Sequence, residues 1–129
     1  MVTGLTSCSG GRTATSPLPT DFSRSRHDTR LFEGYRVQSP YRTTTVQVPR
    51  GTLTFVVHVA CRTRTDLASR ITVRVGTSGA GARCSRHETP GYVGLSDDHP
   101  SRRVQGQQVT VRAPEGATWS VAVDAGPNR

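Results

Sequence analysis

The chain has 129 residues, 33% of them hydrophobic, and a formal net charge of +8 from 17 basic residues against nine acidic ones. That length accommodates one domain of about 90–95 residues beyond an unpatterned start. A membrane-spanning helix needs roughly 18 or more apolar residues in a row, and apolar runs such as Phe55-Val56-Val57 end after three, here at His58. Every basic residue is Arg and none is Lys, a bias that follows GC-rich codon usage rather than guanidinium chemistry. The positive balance reflects scarce acids more than a cluster of bases. It favours anionic neighbours such as phospholipid heads or an anionic cell-wall polymer.

Leu5-Thr6-Ser7-Cys8 has the apolar-small-small-Cys order of a lipobox, and Ser9-Gly10-Gly11 follows it as a flexible tether. These residues resemble the processing site of bacterial lipoproteins. The resemblance implies that Cys8 carries a diacylglycerol and becomes the first residue of the mature chain. Two acyl chains give stable anchoring, since each buried CH2 contributes about 0.8 kcal/mol. A secretory signal needs a charged start and an apolar stretch of about 7–15 residues, whereas seven residues precede Cys8. Residues 1–7 therefore read as the remnant of a signal peptide that begins upstream. Residues 8–33, rich in Ser, Thr, Pro and Arg, read as a disordered tether.

From Tyr35 the pattern has period two, and residues 34–125 are assigned to one domain. Thr44–Val48 ends at the turn Pro49-Arg50-Gly51. Thr52–Cys61 then places Leu53, Phe55, Val57 and Val59 on one face. Arg70–Val75 alternates Ile71, Val73 and Val75 with polar residues, and a turn over Gly76–Gly81 leads to a short strand around Cys84. Arg62–Ser69 and His87–Arg103 read as loops. Gln107–Arg112 buries Val109 and Val111, and Ala113–Gly116 is a turn by composition. Thr118–Asp124 buries Trp119, Val121 and Val123, and 126–129 is a C-terminal tail. Short β-branched strands at this spacing predict an all-β protein, a small antiparallel β-sandwich or jelly-roll-like domain.

Three cysteines leave one unpaired. With Cys8 lipidated, Cys61 and Cys84 form the natural pair, closing a loop of about 24 residues that contributes roughly 3 kcal/mol. Such a bond persists in an oxidising, extracytoplasmic compartment. If it forms, Arg62, Arg64, Arg83 and Arg86 are drawn together around it, giving a candidate anion-binding patch, because Arg engages phosphate with a rigid fork. A strand ending in Cys61, a second Cys at 84 and the late Trp119-Ser120-Val121-Ala122-Val123 are similar to small lipoproteins of high-GC Gram-positive bacteria. That likeness implies no activity.

His87-Glu88 and Asp97-Asp98-His99 are the one grouping with metal-ligand residue types. Neither zinc spacing nor a calcium-loop pattern is present, so His87, Asp97, Asp98 and His99 are weak metal candidates. No G-x-S-x-G motif occurs, and a hydrolase using the His87–His99 loop is the least favoured reading. No cofactor is expected. The aromatic interleaving of nucleic-acid modules is missing, which argues against a nucleic-acid partner. The expectation is a lipid-anchored protein on the outer face of the cell membrane, non-catalytic, with a binding or cell-envelope role. The alternative is a secreted β-sandwich module that recognises carbohydrate or protein without lipid.

Overall fold

The computed structural model describes residues 18–64, 69–86, 91–96 and 105–127. Cys8, the weak metal candidates His87, Asp97, Asp98 and His99, and the proposed signal remnant lie outside them. Eight strands occur among the described residues: β1 (Thr29–Val37), β2 (Tyr41–Val48), β3 (Thr52–Arg62), β4 (Ser69–Val75), β5 (Ser78–Cys84), β6 (Gly91–Ser96), β7 (Gln105–Arg112) and β8 (Thr118–Pro127). They form two four-stranded antiparallel sheets. Sheet I has the order β1-β8-β3-β6 and sheet II the order β2-β7-β4-β5. Consecutive strands cross between the sheets except at β4–β5, which is the connectivity of a jelly roll.

Alternation builds the core between the sheets. Sheet I contributes Phe32, Phe55, Val57, Trp119, Val121 and Val123, and sheet II contributes Val48, Ile71, Val73, Val75, Val109 and Val111, all buried. Trp119 is fully enclosed and its indole N–H donates to the Ser39 carbonyl at 2.8 Å, so this large side chain enters the core with its polar atom satisfied. At Pro49-Arg50-Gly51 the turn closes where Gly51 adopts φ 85°, a conformation that costs glycine little.

Four features depart from the sequence reading. The domain begins before residue 34: β1 starts at Thr29, and Leu18 and Phe22 are already buried against Ala60 and Ala122 on the outer side of sheet I. Residues 91–96, expected within a loop, form β6 and pair with β3 from Val59↔Gly91 to Thr54↔Ser96. The Gly76–Gly81 turn shrinks to Gly76-Thr77, since Val75 already pairs with Ser78. At the other end β8 runs through Pro127, into the expected tail.

Candidate functional site

Cys61 ends the core-facing row of β3 and Cys84 ends β5, and their disulfide, with Cα atoms 4.8 Å apart, ties sheet I to sheet II. Both half-cystines are buried. Beyond them Thr63 N–H donates to the Ser85 carbonyl at 3.3 Å, so the two chains stay together past the bridge.

This end of the sandwich opens into a cavity of about 880 Å³. Arg62, Thr63 and Arg64 form one wall, Ser69 and Gln38 contribute polar side chains, and the Pro114–Thr118 turn forms another wall. That turn is closed by Ala117 N–H donating to Pro114 O at 3.1 Å. Glu115 is the acidic residue among the described lining, beside Arg62 and Arg64. Fork-shaped donors at a recess suit a carboxylate or phosphate group.

The four predicted arginines divide. Arg62 and Arg64 line the cavity; Arg83 and Arg86 do not. Strand alternation is the reason for Arg83: Cys84 points into the core, so its neighbour emerges on the outer surface of sheet II, opposite Arg70. Arg86 follows β5 and is exposed. A disulfide brings backbones close, but the pleat decides which side chains meet.

A second charged group, outside the sequence reading, lies on the outer side of sheet I. Asp124 on β8 is 1% exposed, and its carboxylate accepts from the Arg30 guanidinium on β1 and lies 3.1 Å from His58 Nε2 on β3. Arg30 also donates to the Phe22 carbonyl at 2.8 Å, to Glu33 at 3.1 Å and to the Tyr35 hydroxyl at 3.0 Å. The Phe22 ring stacks on His58 with centroids 5.3 Å apart. Nearby, Ser120 Oγ donates to Pro19 O at 2.8 Å and accepts from Arg36 N–H at 3.0 Å.

Burial works to lower the Arg30 pKa, and the hydrogen bond and charge of Asp124 outweigh it, so the guanidinium is held above its already high ordinary value. For Tyr35, burial first and the hydrogen bond to Glu33 second push the phenol up. The geometry is that of a clasp. Residues 18–28 lie over sheet I, fastened by carbonyls that accept from Arg30, Ser120 and Arg36, whose Nε donates to Leu18 O at 3.1 Å. An Asp–His pair also occurs in hydrolytic triads, but here Asp124 also pairs with the Arg30 guanidinium beneath a packed segment, and Ser120 bonds backbone.

Among the described residues, no group of three or more His, Cys, Asp or Glu side chains is placed to hold a metal ion. Among the described residues, no helix is long and apolar enough to cross a membrane. Comparison of the chain with protein-family models, with curated proteins and with solved structures finds no match.

Proposed function

We propose that the protein is a non-catalytic binding module of the cell envelope, anchored to the outer face of the membrane through lipid on Cys8, whose disulfide-end cavity takes an anionic group. One observation carries this reading. The Cys61–Cys84 bridge stands directly beside a cavity walled by Arg62 and Arg64. Thiols in a reducing cytoplasm would not hold such a bond, and a recess with Arg62 and Arg64 in its lining favours an anionic ligand. Lipidation of Cys8 accounts for the third cysteine and leaves the other two as a pair. The polar residues after Cys8 supply a spacer between lipid and domain.

Expression with the native upstream coding sequence, followed by intact mass and labelling with an alkyne fatty acid, tests the anchor. A diacylglyceryl increment on a mature chain starting at Cys8 is the expected result. An unmodified thiol with protein in the medium supports the secreted alternative instead. For the cavity, isothermal titration with inorganic phosphate and with a short dicarboxylate reads anion binding, and Arg62→Ala with Arg64→Ala should abolish it. Equal binding by that double variant would discard the cavity as the site.

A further inference from the structure

The described residues are divided by charge. The strands of sheet II contain five arginines and no Asp or Glu, whereas the described acids lie in the 18–28 segment, in sheet I and at Glu115. Alternation sends Val109, Val111, Ile71 and Val73 inward and brings Arg70, Arg74, Arg83 and Arg112 out on the opposite face, all exposed. Beside them, on β2 and β7, stand Thr43, Thr45, Gln108 and Tyr41, likewise exposed. Register fixes their spacing. Arg70 lies opposite Arg83, Thr72 lies between Arg112 and Gly81, and Arg74 lies between Thr110 and Gly79. With about 3.3 Å per residue along a strand, Arg70 and Arg74 stand roughly 13 Å apart, and Arg112 falls midway on the adjacent strand.

Three of these guanidiniums are held in place. A Cβ at Gly81 would come within 2.9 Å of Arg70 Nη2, so Arg70 occupies the room a side chain would take. Arg74 lies along Gly79 in the same way, 3.5 Å from that missing Cβ, and its Nη2 donates to Thr77 O at 3.3 Å. Arg112 sits 4.8 Å over the Tyr41 ring. Like charges ordered on one acid-free sheet repel one another, and a bound polyanion relieves that repulsion. Ordering them in advance lowers the entropy that binding costs.

We infer that the outer face of sheet II binds a linear polysaccharide whose sugars carry carboxylates. The face is broad and open rather than recessed, which suits an extended polymer over a small anion. Threonine hydroxyls and glutamine amides beside the arginines match sugar hydroxyls adjacent to a carboxylate, which the Arg fork meets with two hydrogen bonds. Base stacking draws on several aromatic rings, and Tyr41, with Arg112 4.8 Å over one face, is the single aromatic in the strands of sheet II. Membrane insertion needs apolar wedges, and apart from Tyr41 the strands of this face present Thr, Gln, Gly and Arg outward. The surface is distinct from the Arg62–Arg64 cavity and does not depend on lipidation of Cys8.

The test is equilibrium binding of the full chain to immobilised polygalacturonate, with neutral dextran, duplex DNA and anionic phospholipid vesicles as comparators. Binding to polygalacturonate is expected, none to dextran, and a steep fall between low and physiological salt. Arg70→Ser with Arg74→Ser should weaken it at least tenfold with an unchanged melting temperature. Gly81→Ala, which displaces Arg70 while keeping its charge, should weaken it severalfold. Binding unaffected by the Arg70–Arg74 pair, or stronger binding to DNA or vesicles at equal charge, overturns the assignment.

Discussion

Arg30, at the start of the first strand, and Asp124, near the end of the last, form an ion pair across a sequence separation of 94 residues. The pairing is set by register, since the two residues are direct partners in the β1–β8 ladder. Because Asp124 is buried while Arg30 keeps 16% of its side-chain surface, removing the cation leaves a buried carboxylate beside His58 without its guanidinium. Breaking a buried pair from one side costs about 3–5 kcal/mol, and the retained histidine places this case at the lower end. Arg30→Ala is expected to lose about 3 kcal/mol of unfolding free energy in urea. A loss below about 1 kcal/mol would show that the pair is not what fastens the clasp on sheet I.

The same clasp predicts that residues 18–28 are held by the fold and not by chance proximity. Phe22 joins Leu18, Ala60 and Ala122 in a small second core and stacks on His58. Phe22→Ala should cost about 2 kcal/mol, less than a central aromatic, because the site lies at the rim of the molecule. Opening of the segment would then outpace global unfolding, and trypsin should cut at Arg24 and Arg26 at least about tenfold faster than in the parent chain. Unchanged cleavage would mean that the backbone bonds to Arg30, Arg36 and Ser120 suffice.

Tyr35 gives the clasp a pH dependence with a definite sign. Its folded-state pKa is raised, first by burial and then by donation to Glu33 at 2.8 Å. The folded protein therefore keeps the phenolic proton at pH values where the unfolded chain releases it. The contribution is fully present below the ordinary tyrosine pKa of about 10 and declines as pH rises through the higher folded value. Urea stability should fall above pH 10, and Tyr35→Phe should flatten that fall. An identical slope in the variant would remove Tyr35 from the linkage.

Strands with one clean apolar face could be read from the chain alone. Thr52–Cys61, Arg70–Val75, Gln107–Arg112 and Thr118–Asp124 alternate because one face meets the core and the other does not. Two strands were hidden for different reasons. In β1 the register slips between Arg30 and Phe32 and again between Gly34 and Val37, where Arg36 takes φ 53°, so period two is broken at both places. In β6 the sequence Gly-Tyr-Val-Gly-Leu-Ser follows Pro90 and carries two glycines, a composition that reads as loop. The clasp is not legible in the sequence because Arg30 falls in the 8–33 stretch that reads as a tether. A signal for it was nevertheless present: the outward residues His58, Ala60, Ala122 and Asp124 are poor in the Thr, Gln and Arg that cover sheet II, as expected of a face that is not wet. Of the anion site, the disulfide was legible by parity. Which arginines it gathers depended on the pleat.

That pleat makes the bridge more than a stability element. Cys61 and Cys84 enclose 23 residues of separation, and in the chain-entropy model opening that loop costs about 3 kcal/mol. Cys61→Ala with Cys84→Ala is expected to lose about that much in urea, with the sandwich still folded at 25 °C because Trp119 and its valine neighbours remain packed. The cavity should respond more sharply than the core. Without the bridge, the Thr63–Ser85 hydrogen bond beyond β3 and β5 loses its covalent support, so the amide of Thr63 should speed up at least about tenfold more than those of Val57 and Val121, whose exchange accelerates only with the lost global stability. Anion binding at Arg62 and Arg64 should weaken in step with that local exchange. If Thr63 exchange and anion binding both stay at the parent level, the disulfide stabilises the fold without shaping the site.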